Sequence, residues 1–159
     1  MHGPFNLKEW AAIPLRLIVG YGFMEHGYAK LVRGPESFAI ILQALNVPHP
    51  HLMAWLTILT ELISGAAVLT GAFISFASVP MIAVLLVAMF SVHLRYGFSS
   101  IKLMAITPTG ARLGPAGYEP DLLYIACLAA LVLGGSGPFA IDNLFAVTRK
   151  KQNNLSQAS

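Results

Sequence analysis

The stretch AAIPLRLIVGYGFMEHGYAKL, residues 11–31, has the length and apolar content of a membrane span, yet it carries four ionisable side chains: Arg16, Glu25, His26 and Lys30. A charged group at the centre of a bilayer costs from about 2.5 to well over 10 kcal/mol, so such groups face a bundle interior or a water-filled cavity. On a helix, Arg16, Gly20, Phe23, Gly27 and Lys30 follow one another at steps of four, three, four and three and therefore share one stripe. Gly20 and Gly27 let a neighbouring backbone come close, and the charge at each end of the stripe calls for a polar partner from that neighbour. Glu25 and His26 project to either side.

The rest of the chain agrees with a membrane setting. Apolar residues make up 56% of the 159 and charged residues only 11%, against about a quarter charged in a soluble domain, and the mean hydropathy is +0.68. Apolar runs of about 20 residues match a hydrocarbon core of about 30 Å. These runs predict an all-α integral membrane four-helix bundle with spans at about 11–32, 52–70, 76–95 and 121–135. Together they form a single domain over 1–148, followed by a polar, basic tail over 149–159. Between the first two spans, Gly34-Pro35 stops one helix and starts another, and Phe38, Ile41, Leu42 and Leu45 repeat at helical spacing over too few residues to cross. That piece reads as a short interfacial or re-entrant helix. Residues 97–120 turn polar and rich in glycine and proline, and read as a loop.

Several function classes drop out. The formal charge of +3 suits residues flanking a membrane, and no basic patch interleaved with aromatics points to nucleic acid. Cys127 is the only cysteine, so paired thiols and an internal disulfide are excluded. No set of residues has metal-ligand spacing. The N-terminus lacks a basic region before a short apolar one, so a cleaved signal peptide is not expected.

Antiparallel spans bring the ends of the first and third and the starts of the second and fourth to one side. Glu25, His26, Glu61, His93 and the group from Glu119 through Asp121 to Tyr124 are therefore expected to converge in one half of the bundle, with Arg16 toward the other. Simpler roles compete: Lys30 and Arg95 as snorkelling anchors, Glu119 and Asp121 as helix caps. Glu61 stands apart, because it lies about 15 Å into its span and needs a partner or a proton. It is expected to face the interior within reach of Arg16, Glu25, His26 or His93.

Arg16-x3-Gly20-x2-Phe23-x3-Gly27-x2-Lys30-Leu31, Glu61-x3-Gly65-x3-Leu69-x-Gly71, the terminal His93, Gly117-Tyr-Glu119 and Gly137-Pro-x3-Asp142 together resemble the DoxX family over roughly residues 12–143. The resemblance implies a four-helix membrane bundle and an association with redox chemistry. Members include the small DoxD-type subunit of a thiosulfate:quinone oxidoreductase and mycobacterial proteins in a membrane complex with superoxide dismutase and a sulfurtransferase.

The leading expectation is a membrane subunit of a redox system that binds a quinone or similar small molecule in the polar half of the bundle. Arg16, Glu25, His26, Glu61, His93 and Glu119 are the candidate binding or proton-relay groups; Gly20, Gly27, Lys30, Gly65 and Asp142 are structural; Arg16 and Lys30 pair with carboxylates. Quinone reduction consumes protons, which titratable groups in a low-dielectric pocket can supply. Alternatives are a non-catalytic scaffold that recruits other redox subunits or soluble enzymes through the 97–120 loop, a haem-binding bundle using His26 and His93, and a small-solute carrier. Besides lipid, a second copy of the chain is a candidate partner. The contiguous Arg149-Lys150-Lys151 places both termini in the cytoplasm of, by expectation, a bacterial inner membrane.

Overall fold

The computed structural model describes residues 7–143. It is mostly helical, in the order α1 (Leu7–Trp10), α2 (Ala12–Arg33), α3 (Pro35–Ala44), α4 (Pro50–Thr70), α5 (Ile74–Ala88), β1 (Leu103–Thr107), β2 (Gly110–Leu113) and α6 (Glu119–Gly134). The basic tail over 149–159, and with it Arg149, Lys150 and Lys151, lies outside the described residues.

Pro14 falls in the first turn of α2, where its missing N–H is harmless. Glycine ends that helix at Gly34, and Pro35 opens α3 directly. Gly71 closes α4 at φ 71°, the left-handed conformation that ends many helices, and the chain turns at once into α5. Helix α5 does not stop cleanly. Met89–His93 widens into a π-helical turn and Leu94–Tyr96 tightens into a 3-10 turn.

Helix α2 packs on α4, α4 on α5, α5 on α6, and α6 back on α2, while the short α3 lies against α4 and α2. The centre of this ring is filled by Val19, Phe23, Val68, Met81, Leu85, Leu128 and Leu131. A smaller cluster of Ala39, Leu42 and Ala54 seats α3. The outside is as apolar as the inside: Ile63, Phe76, Val79, Phe90 and Leu133 are all well exposed, an inside-and-out hydrophobicity that a monomer in water does not sustain. Among the described residues, two helices, Pro50–Thr70 and Ile74–Tyr96, are long and apolar enough to cross a membrane. α2 has the length but carries Arg16, Glu25, Lys30 and Arg33, and the 16 residues of α6 rise only about 24 Å.

The α2–α4 contact is made by glycine. A Cβ at Gly20 would lie 2.7 Å from the backbone N of Leu69 and 2.8 Å from the Gly65 carbonyl oxygen, and one at Gly65 would lie 2.9 Å from the Gly20 carbonyl oxygen. The two backbones touch where both side chains are absent, as small residues permit in membrane helices.

One expectation needs correction. The chain is not all-α, because part of the predicted loop is an antiparallel hairpin with Leu103 opposite Leu113 and Thr107 opposite Gly110. Pro108 presets the first corner and Gly110 takes φ 125°. A short helix, Leu7–Trp10, also precedes the first predicted span.

Replacing Gly20 by Val should force the α2 and α4 backbones apart and cost about 1–3 kcal/mol or more, seen as a lower melting temperature in detergent. Leu133→Val, 88% exposed, should melt with the wild type. Equal melting of Gly20→Val and wild type would show that this contact is not made.

Candidate functional site

At one end of the ring Arg16 is buried and makes four hydrogen bonds, all to backbone carbonyls. Nε donates to Val68 at 3.3 Å, Nη2 to Leu69 at 3.0 Å, and Nη1 to Ser136 at 3.1 Å and Pro138 at 3.0 Å. Val68 and Leu69 lie in the last turn of α4, where carbonyls lack the i+4 donor of the helix interior, although that of Val68 also accepts from the Gly71 N–H at 3.1 Å, and the helix dipole favours a cation. Gly71 makes room for this: a Cβ there would lie 2.8 Å from Arg16 Cζ and 2.6 Å from Ala140 Cβ. Asp142 completes the knot, accepting from the Phe73 N–H at 2.9 Å and from the Ser136 hydroxyl at 3.2 Å. Arg16 was expected to pair with a carboxylate. It is held by carbonyls instead, and Asp142 acts on it only through space. Beside the guanidinium a half-open cavity of about 100 Å³ is lined by Ile13, Leu17, Leu69, Pro138 and Phe139.

Toward the other end, Lys30 Nζ donates to both oxygens of Glu61, at 2.6 and 2.7 Å. It also lies 5.3 Å from the centroid of the Phe38 ring, which α3 presents. Glu61 is 6% exposed at its side chain and Lys30 25%. Gly27 makes the approach possible, since a Cβ there would meet Glu61 Cβ at 3.0 Å. Glu61 thus faces the interior as expected, but its partner is none of the four residues anticipated. Arg16 meets α4 at Val68, seven residues or about 10 Å beyond Glu61, whereas Lys30 is one turn from the Gly27 contact and long enough to fold back. His26 interacts with Glu61 only electrostatically and is exposed, as is Glu25. Glu25 makes no hydrogen bond or ion pair among the described residues.

A second pair joins α5 to α6. His93 Nδ1 lies 2.6 Å from Asp121 Oδ2, with the imidazole 33% exposed and the carboxylate 6%. The π-helical turn puts the histidine there by shifting the register of the last turn of α5. One turn along α6, the Tyr124 ring meets Phe23 edge-on at 5.5 Å, and Gly22 leaves space for its hydroxyl. Glu119 does not join this pair. Its carboxylate accepts from the Ser100 N–H at 2.9 Å and the Ser100 hydroxyl at 2.6 Å, and backbone bonds from Gly117, Tyr118 and Glu119 to Ser99, Gly97 and Phe98 close the base of the hairpin.

The expected single cluster is therefore two separate pairs, Lys30–Glu61 and His93–Asp121. No hydrogen bond connects them among the described residues; Glu25 points outward and Glu119 serves the loop. His26 and His93, weighed together for haem, have different neighbours. Asp121 as the partner of His93 and Phe38 as a neighbour of Lys30 were not anticipated. The first had a sequence signal, because both residues stand at polar ends of consecutive spans on one side; the second had none.

Removing one member of the Lys30–Glu61 pair leaves the other buried and unanswered. Lys30→Met is expected to cost about 3–5 kcal/mol, and the double variant Lys30→Met/Glu61→Leu to recover most of it. Calorimetry in detergent measures both, and equal stability of the single and double variants would refute the pairing. Glu119, which precedes the apolar part of α6, has its carboxyl held below the ordinary glutamate range by the hydroxyl and N–H of Ser100. Its bonds therefore hold the hairpin base above the ordinary range and are lost as pH falls through the lowered value. Carbon-13 NMR should show Glu119 titrating below about 4.3, and Ser100→Ala should move it upward.

A model of the DoxX family matches residues 11–94, more than half of the chain, from the start of α2 through the π-helical turn that follows α5, with Arg16, Lys30, Glu61 and His93 inside the match. No curated protein and no solved structure matches the chain. The family is one of integral membrane proteins, and to the DoxX family this chain belongs.

Proposed function

We propose that the chain is a membrane subunit of a redox system in which His93 and Asp121 form the group that meets a quinone or similar small molecule. In this reading α2, α4, α5 and α6 all cross a bacterial inner membrane as a four-helix bundle forming one domain over residues 1–148. α3 lies in the interface and both termini face the cytoplasm. The observation that carries the reading is the 2.6 Å contact between a partly exposed imidazole and a buried carboxylate, formed by a π-helical turn, a distortion frequent at functional sites.

The chemistry follows from the two ring nitrogens. Asp121 accepts from Nδ1–H, which fixes the tautomer and leaves Nε2 to exchange a proton with whatever binds beside it. A quinone bound there would supply two-electron chemistry, its electrons coming from a redox partner. His93 Nε2 would first take up a proton to give an imidazolium stabilised by Asp121, then donate that N–H to a quinone carbonyl oxygen and release the proton to it as the ring is reduced. Lys30–Glu61 and Arg16 stay out of this step, because their partners within the chain already occupy them.

That same saturation supports a second reading, a scaffold without catalysis that recruits other redox subunits or soluble enzymes. The hairpin suits recruitment, because Met104 and Ile106 stand 68% and 81% exposed on a stretch, residues 95–118, that carries Arg95, Lys102 and Arg112 and no acidic residue.

A short-chain menaquinone or ubiquinone analogue at a hundredfold excess over its Kd should stabilise the purified wild type by about 2.7 kcal/mol and His93→Gln far less. No shift in the wild type, together with an intact cellular redox phenotype in His93→Gln at matched expression, would favour the scaffold.

A further inference from the structure

We infer that the outward face of α2 is a seam between two copies of this chain, centred on Glu25. The inference rests on the proposal above that α2 crosses the bilayer. The depth of Glu25 follows from the packing: Gly27 lies against Glu61 and Leu62, while Gly65 lies against Gly20 and Met24. Glu25 is therefore level with residues 62–64, near the middle of α4 (Pro50–Thr70), a helix long and apolar enough to cross a membrane. Two other carboxylates of the helical ring, Glu61 and Asp121, are held by Lys30 and His93. Glu25 alone of these three is exposed and unanswered among the described residues, and hydrocarbon offers it nothing.

The surrounding face has the form of a helix–helix seam. Ile18, Tyr21, Glu25, Tyr28 and Val32 follow at steps of three, four, three and four, the 3.5-residue period of a left-handed pair. Ile18, Tyr21, Tyr28 and Val32 are 58%, 64%, 58% and 66% exposed, so nothing within the chain covers them. Copies of one chain insert with the same orientation. A two-fold axis along the membrane normal therefore brings each residue of the stripe to the same residue of the second copy. Few side chains can face themselves at that depth, but a carboxylic acid can, because its O–H donates to the oxygen of an identical group and polar contacts of this kind hold membrane helices together. Tyr21 and Tyr28, one turn to either side, add hydroxyl donors. An unrelated subunit would need a donor of its own at the same depth; a second copy has one by symmetry.

The test uses the full chain in native membranes, in a Cys127→Ala background, under mild oxidation. Ile18→Cys and Val32→Cys should give a covalent dimer, and Phe76→Cys, 81% exposed on α5, should not. Glu25→Leu should lower the cross-linking yield at Val32→Cys about tenfold, whereas Glu25→Gln, which keeps a donor and an acceptor, should leave it. Absence of the dimer, equal cross-linking through Phe76→Cys, indifference to Glu25→Leu, or linkage to a different protein would each overturn the seam. A membrane-impermeant maleimide separates two failures. Glu25→Cys that is neither labelled nor cross-linked removes the seam alone, and Glu25→Cys that is labelled removes the membrane placement of α2 with it.

Discussion

An apolar bundle interior supplies few hydrogen bonds, so every charge that α2 carries into the bundle has to be answered by another part of the chain, and this constraint orders the structure. The answers come mostly from α4, and they come within reach only because the two backbones touch at Gly20 and Gly65. The two cations of the stripe are satisfied in different ways that fit their chemistry. The planar fork of Arg16 spreads four N–H bonds over carbonyls from two separate segments, which a compact ammonium could not do. Lys30 instead places one point charge between both oxygens of a single carboxylate. The first arrangement closes a helix end; the second cancels a buried charge in mid-helix.

The two ends of the ring differ in consequence. At the Arg16 end, α2, the C-terminus of α4 and the segment after α6 are tied by a guanidinium, by Asp142 and by backbone bonds such as Asp142 N–H to the Gly71 carbonyl. At the other end, α5 meets α6 through one side-chain pair and a π-helical turn, next to an exposed hairpin. Segments with few buried contacts open first, and binding and motion are drawn from them. It is at this second end that the function proposed above puts its chemistry.

Much of this was legible in the residues, and the reason the rest was not is geometric. The stripe from Arg16 to Lys30, the α3 stretch and the approximate helix limits rest on the 3.6-residue period and on Gly34-Pro35, which are local properties. Depth was legible too, since counting residues along antiparallel spans puts Glu25, His26 and Glu61 close in height. Rotation was legible for α2, whose glycine stripe turned Gly27 to its neighbour; what it did not convey is that Glu25 and His26, a step of about 100° per residue away, would stay at the surface and out of the cluster. Lys30 was expected to pair with a carboxylate and does, but Glu61 was not named as that carboxylate because a long cation near a span end can reach either way. The hairpin was hidden by its own exposure: Leu103–Thr107 is a short apolar run followed by a Pro-Thr-Gly turn, but Gly110–Leu113 is interrupted by Arg112 and no buried face imposes an alternating pattern. The π-helical turn left no local mark at all.

That turn and the hairpin are connected over a short distance. Glu119 N–H bonds to the Phe98 carbonyl and Ser100 donates to the Glu119 carboxylate, so the base of the hairpin is fastened to the first residue of α6. Asp121 is two residues further on in the same turn, and it holds His93. On the readings proposed above, a partner bound at the hairpin would bear on the turn that carries the carboxylate, and the tautomer of His93 would follow where that carboxylate stands. A scaffold and a redox subunit, set apart as alternatives on chemical grounds, share the same few residues from Phe98 to Asp121.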